Sequence, residues 1–118
     1  MSVTPSFRAF VLDQLGLSIT GIRARSMFGG VGIYAGDVFF ALIDDDTLYL
    51  KVDDSTRPDF EAAGMGPFLP FGENGEVMQY YQLPVEVLED SDSLRSWAEK
   101  AIATAERARK RRTRRRGA

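Results

Sequence analysis

Residues 27–52 read MFGGVGIYAGDVFFALIDDDTLYLKV, three short apolar runs parted by two turn signals, and this order predicts an antiparallel meander. In the first run Val31, Ile33 and Ala35 alternate with smaller or amphipathic neighbours until Gly36-Asp37 breaks it, as a hairpin turn does. The chain then doubles back. Residues 38–43, VFFALI, are apolar at both alternating sets of positions, which predicts a strand covered on two faces inside the sheet. Asp44-Asp45-Asp46-Thr47 makes the next turn, because short carboxylates bond their own backbone and tolerate turn dihedrals. Leu48, Leu50 and Val52 then face one way while Thr47, Tyr49 and Lys51 face the other, the pattern of a half-wet strand.

Upstream of the meander, residues 17–26 alternate loosely, with Ile22, Ala24 and Ser26 opposite Arg23 and Arg25, and read as a bent lead-in strand. Gly29, Gly30 and Gly32 suit a bulge or sharp bend at the sheet edge. A phosphate-cradling loop is disfavoured there, since no GK[ST] follows and the glycines enter a strand. Before this, Thr4 and Pro5 form a helix entrance, and Phe7, Phe10, Val11 and Leu15 fall on one side of a helix that Gly16 ends. Packing on the sheet is the expected use of that aromatic face; a groove or dimer contact is the alternative.

Downstream, residues 53–56, DDST, offer several capping side chains, Pro58 fits a first turn, and Phe60 anchors a helix of about two turns that stops at Gly64. Residues 66–72 predict an edge strand or extended loop, Asn74-Gly75 a hairpin turn, and residues 77–83 a returning strand whose adjacent Tyr80 and Tyr81 lie on opposite faces. Pro84 closes that strand, and residues 86–93 read as an acidic connector. Leu94, Trp97, Ala98, Ala101, Ile102 and Ala105 then give the cleanest amphipathic helical pattern in the chain, with Trp97 its heaviest anchor.

The 118 residues suit one domain with a modest core, to which a dimer interface would add burial. There is no cysteine and no histidine. Thiolate zinc sites, disulfides, cysteine nucleophiles and the commonest general base are therefore excluded. The 44% apolar content argues against wholesale disorder, no apolar run approaches the length of a membrane span, and a soluble cytoplasmic protein is expected. The net charge of −2 conceals an asymmetry. Arg107, Arg109, Lys110, Arg111, Arg112, Arg114, Arg115 and Arg116 are eight of the 15 basic residues, leaving seven against 17 acidic ones in residues 1–106, a charge of −10. The expected organisation is an acidic body, 1–106, and a basic C-terminal tail, 107–118.

The stretch RSMFGGVGIYAGDVFFALIDDDTLYLKVD, with Phe60-Glu61-Ala62-Ala63-Gly64, Pro67-Phe68 and a helix carrying Leu94, Trp97, Ala101 and Ala105, resembles the N-terminal domain of the TfoX/Sxy competence regulators. The likeness covers roughly residues 7–107, and its most specific elements are Met27, Phe28, Gly29 and Gly30 together with Tyr49 and Lys51. It implies an α+β domain in the order helix, three-stranded antiparallel meander, short middle helix, two strands and closing helix (α-β3-α-β2-α), similar in topology to type III secretion chaperones, with a homodimer among the expected states. Long members continue into a second, helical domain where this sequence reads ARKRRTRRRGA, so the competence role itself is not carried over.

The cations of 107–116 suit a phosphate backbone, a solvated tail, or attraction to the acidic body. Turn chemistry explains Asp44-Asp45-Asp46 and Asp53-Asp54 better than Mg²⁺ or Ca²⁺ binding, because the glycine and bidentate glutamate of a calcium loop are missing. Asp37, Glu61, Glu73 and Glu76 are the carboxylates an enzyme would have to pair, and Ser26 has no nucleophile-elbow context. The expectation is a non-enzymatic module without metal or cofactor, binding an unidentified protein partner through the glycine-flanked segment 27–32 and the tail, in transcriptional regulation. Nonspecific nucleic-acid binding by the tail is the alternative, and a small-molecule site at Phe68, Phe71 and Tyr80 a third reading.

Overall fold

The computed structural model describes residues 3–27, 29–69 and 79–117, with side chains as far as Thr113. Its order is α1 (Pro5–Gly16), β1 (Ile22–Met27), β2 (Gly30–Ala35), β3 (Val38–Asp44), β4 (Thr47–Lys51), α2 (Arg57–Ala62), β5 (Tyr80–Gln82), α3 (Val85–Leu88) and α4 (Ser91–Gly117). The strands form one open antiparallel sheet in the order β1-β2-β3-β4-β5. This is the α+β architecture expected, with a helix at each end and a short one between. The lead-in segment is a full strand of the meander, and α3 occupies what reads in sequence as a plain connector.

The turns follow from their residues. Asp45 and Asp46 both have positive φ, 51° and 52°, the backbone of a two-residue type I′ hairpin. Asp46 adds a tertiary tie: its carboxylate accepts from the Thr4 N–H at 2.8 Å and the Thr4 hydroxyl at 2.9 Å, while the same hydroxyl caps α1 by accepting from the Phe7 N–H. One turn thereby holds the start of α1 against the far end of the β3–β4 hairpin.

The β2–β3 register shifts between Ile33, paired with Ala41, and Tyr34, paired with Phe39. Phe40 is the extra residue; of the bulge or sharp bend expected at the glycines, the bend is there, at Gly29, and the bulge lies one hairpin further on. A bulge sends the inserted side chain to its neighbour's face. Phe40 and Ala41 are accordingly both fully buried, while Phe39 and Leu42 are half-buried on the other side. The unbroken apolar run thus reflects a bulge and an aromatic outer face, and the expectation of a strand roofed on two sides is corrected.

The inner face carries Val31, Ile33, Phe40, Ile43, Leu48 and Leu50, packed into one core with α1 and α4. On α1 the buried residues are Val11 and Leu15, with Phe7 packed beside them; Phe10 is exposed, because the face that meets the sheet is centred on the i, i+4, i+8 row of Phe7, Val11 and Leu15. On α4 the buried residues are Leu94, Ala98, Ala101, Thr104 and Ala105, small enough for the helix to lie close along β3 and β4. Trp97 flanks that contact, half-buried, with its ring edge-on to Phe60 at 4.8 Å and 89°. Phe60, buried, also meets Tyr81 edge-on, and so anchors the six-residue α2 as its sequence predicts.

The helix α4 is 27 residues long, about 40 Å at 1.5 Å per residue. The division expected after residue 106 falls inside it. Residues 66–69 lie beside β5, with a bridge between Pro67 and Tyr81 and a 2.8 Å hydrogen bond from the Phe68 N–H to the Tyr80 carbonyl. The Asn74-Gly75 turn and the first residues of the returning strand lie outside the described residues.

Candidate functional site

With the inner face closed by helices, the chemistry left to the sheet is on its outer face. Pairing register places Arg23 and Met27 of β1, Gly32 and Tyr34 of β2, Phe39 and Leu42 of β3, Tyr49 and Lys51 of β4, and Tyr80 of β5 on that side. Tyr34 stacks on Phe39 at 5.1 Å, Phe39 meets Tyr80 at 5.6 Å, and the Lys51 ammonium stands 5.1 Å from the Tyr80 ring centre. A second cluster joins Tyr49 to Phe68 at 4.9 Å, with Leu42 opposite Tyr49 in the ladder. Tyr80 and Tyr81 fall on opposite faces, Tyr81 packing inward on Phe60, as their adjacency requires.

The resemblance residues converge here. Met27 lies over Gly32, where an added Cβ would meet the Met27 methyl at 2.5 Å and Phe39 at 3.2 Å. Tyr49 and Lys51 are on the same face. Gly29 and Gly30 have structural duties instead: Gly29 turns the chain with φ at 81°, and a Cβ on Gly30 would sit 2.6 Å from the Ile43 carbonyl oxygen. Phe28 lies outside the described residues.

Electrostatics divides the face into two ends. At the β3–β4 turn, burial and then the charges of Asp44 and Asp45 raise the pKa of Tyr49. At the opposite end, burial pushes the Tyr80 hydroxyl up to about 12. Lys51 is held below its usual value by burial and then by Arg112 and Arg111. The α4 extension supplies these cations, and it is clamped there by two ion pairs. Arg109 donates to Asp37 at 3.1 Å, a hydrogen bond that holds the Asp37 carboxyl below its ordinary pKa. Arg107 donates to Asp53 at 2.8 Å and to the buried Thr104 hydroxyl at 3.1 Å. Burial pushes the Asp53 carboxyl up, but hydrogen bonds from Ser55 and Arg107 outweigh it and hold the group well below the usual carboxylate range.

Of the basic residues singled out in sequence, Arg107 and Arg109 are therefore engaged with the body, whereas Lys110, Arg111 and Arg112 are exposed along α4. The side chains of Arg114, Arg115 and Arg116 lie outside the described ones. What composition alone does not reveal is that the helix stays regular past residue 106 and carries its cations to the sheet's outer edge. The acidic sequence at Asp37 and Asp53 is the signal that could have found it.

Of the candidate catalytic carboxylates, the two described lie on separate elements with separate partners: Asp37 in the β2–β3 turn under Arg109, and Glu61 on α2, which accepts from the Tyr81 hydroxyl at 3.5 Å. Glu73 and Glu76 lie outside the described residues, and Ser26 accepts from Arg8 at 3.0 Å. Among the described residues no group of three or more carboxylates is placed to share a metal ion, and Asp46 and Asp53 are engaged with Thr4 and Arg107. No described helix is long and apolar enough to cross a membrane. Of the third reading's residues, Phe68 and Tyr80 belong to separate clusters, and Phe71 lies outside the described set.

Comparison with family models matches the TfoX N-terminal domain over residues 13–105 of the 118. No curated protein matches the chain. The matched span holds the whole sheet and α4 as far as Ala105, and stops short of both clamping arginines.

Proposed function

Because the chain belongs to the TfoX N-terminal domain family, we propose that it is a non-enzymatic module of transcriptional regulation, acting by binding a protein partner on the outer face of its sheet. The observation that carries this reading is the gathering of Met27, Leu42, Tyr49 and Phe68 on one half-buried face, while the opposite face is fully packed. Aromatic and methionine side chains are the types enriched where proteins dock. On this reading the protein acts in the cytoplasm, and a homodimer is its expected assembly, to be checked by sedimentation at two concentrations.

The test is co-purification with the wild type and with a Tyr49→Ala/Phe68→Ala variant whose melting curve shows that it folds. A protein retained by the first and lost by the second supports the reading, and its identity assigns the process. Identical retained sets would remove the outer face from the account.

A second reading, nonspecific nucleic-acid binding by residues 107–116, is favoured by the exposure of Lys110, Arg111 and Arg112. Electrophoretic shifts at two salt concentrations test it, since charge-driven binding weakens steeply with salt.

A further inference from the structure

At the α4 end of the outer face the rings and the cations form a continuous track. Pairing aligns Arg23 with Tyr34 and Tyr34 with Phe39; Phe39 reaches Tyr80, and Lys51 lies over Tyr80. Phe39, Lys51, Tyr80, Arg109 and Arg112, with Asp37 paired to Arg109, are among the residues lining a cleft of about 310 Å³ where this row meets α4. Crossing five strands, and so four spacings of ~4.8 Å, the row is about 19 Å long. We propose that this row, from Arg23 across Tyr34 and Phe39 to Lys51 and Arg112, is a binding track for single-stranded nucleic acid, with bases on the rings and phosphates on the cations.

Charge complementarity carries the choice of occupant. Arg23, Lys51, Arg109, Arg111 and Arg112 surround this end of the sheet, against Asp37, Asp53 and Glu106, and of these carboxylates Asp37 and Asp53 already have their arginines. No described carboxylate forms an ion pair with Lys51 or Arg112; Lys51 is lowered first by burial and then by Arg112 and Arg111, with Asp53 opposing, and a phosphate between these cations would offset their repulsion. The −10 body is a weak obstacle, because its charges are screened beyond about 8–10 Å at ordinary salt. Flat rings beside cations suit a strand whose bases are unpaired better than a duplex, which hides its ring faces, or an acidic peptide, which has none. Tyr80 is buried, so the half-buried rings of Tyr34 and Phe39 are the ones open to bases, and a face of this kind accommodates about two. This track goes beyond the partner-binding reading and lies at the other end of the face from Tyr49 and Phe68.

Fluorescence anisotropy of the full chain with a labelled oligothymidylate of about 15 nucleotides, over a salt series, tests the track. Lys51→Gln/Arg112→Gln is expected to weaken binding and to flatten the log–log salt slope by about 1.4, from ~0.7 per single-strand phosphate. Tyr34→Leu is expected to weaken it about tenfold with the slope unchanged. Should the double variant unfold, Arg112→Gln alone, at an exposed helical position, is expected to lower the slope by about 0.7. Binding that is insensitive to Tyr34→Leu, a duplex of equal length bound as tightly, or polyglutamate displacing the strand at equal charge would each overturn the proposal. So would adenosine monophosphate binding as tightly as the oligonucleotide, or Arg114→Gln/Arg115→Gln/Arg116→Gln abolishing binding that Lys51→Gln/Arg112→Gln leaves intact.

Discussion

Arg107 and Asp53, 54 residues apart in sequence, are joined by a 2.8 Å hydrogen-bonded ion pair that fastens α4 to the entrance of α2. The other oxygen of Asp53 accepts from the Ser55 N–H and hydroxyl and from the Thr56 N–H, so one carboxylate organises the turn and receives the helix. Asp53→Ala removes all of these contacts and is expected to cost about 2 kcal/mol, a fall in Tm of roughly 8 °C. Arg107→Ala removes only the bridge, and with Asp53→Ala is expected to show a coupling of about 0.5–1 kcal/mol in a double-mutant cycle. Strict additivity would mean that the pair contributes nothing.

The same carboxylate sets a pH dependence. Its pKa in the folded chain lies below the unfolded value of about 3.9, so the unfolded chain binds the extra proton and stability rises with pH through that interval. The contribution is complete above about pH 5 and is lost as pH falls toward the folded value. Asp53→Asn keeps an acceptor for Ser55 and Thr56 but has no charge to lose. Urea unfolding should therefore show a wild-type advantage that is constant from pH 7 to about 5 and shrinks below about 4. An advantage unchanged at pH 3 would rule out Asp53 as its source.

Arg109 provides the contrast. Its bridge to Asp37 is as direct, at 3.1 Å, yet both side chains are at least half exposed. Exposed pairs contribute about 0.2–1 kcal/mol and are screened by salt. Arg109→Ala is expected to leave the urea midpoint nearly unchanged at ordinary salt, and a loss as large as that of Asp53→Ala would show that the α4 extension is held differently.

Two glycines two residues apart should respond unequally. On Gly30 a methyl would meet the Ile43 carbonyl oxygen at 2.6 Å, and that oxygen belongs to the core of the sheet and cannot withdraw. On Gly32 the nearest atoms are the Met27 methyl at 2.5 Å, its sulfur at 3.2 Å and a Phe39 ring carbon at 3.2 Å, all side-chain atoms, the closest at the far end of a flexible chain. Gly30→Ala is accordingly expected to cost about 2–3 kcal/mol and Gly32→Ala about 1 kcal/mol or less in denaturant melts. The reverse order would contradict the placement of β2 between β1 and β3.

Much of this was legible in the residues. Alternation around Val31, Ile33, Leu48 and Leu50 defined the inner face, and the carboxylate run at Asp44 to Asp46 defined the turn, because periodicity and turn chemistry are local. The bulge at Phe40 was not, since an unbroken apolar run fits a doubly covered strand as well as a bulged one; only pairing with Tyr34 and Ile33 separates them. The site was half legible: Tyr49, Lys51 and Met27 could be named, but their meeting on one face depends on register. Arg107 and Arg109 looked like members of a free tail because their partners, Asp53 and Asp37, are distant in sequence and are brought beside them by the meander.

The packing of α2 rests on a single side chain. Six residues cannot sustain a helix by backbone hydrogen bonds alone, and Phe60 is the one buried residue of α2. It inserts between Tyr81 and Trp97, with ring centres at 6.2 and 4.8 Å. Phe60→Ala is expected to cost about 3–5 kcal/mol, releasing α2 and uncovering the ring of Trp97. Phe60→Leu refills part of the volume and should cost about half as much, so it remains measurable if the alanine variant does not fold. Trp97 is the only tryptophan in the chain, which makes its emission a direct report. A red-shifted spectrum under native conditions is the expected result for Phe60→Leu or Phe60→Ala. An unshifted spectrum with full stability would show that Trp97 is covered by something other than Phe60, and that α2 is held by contacts from elsewhere.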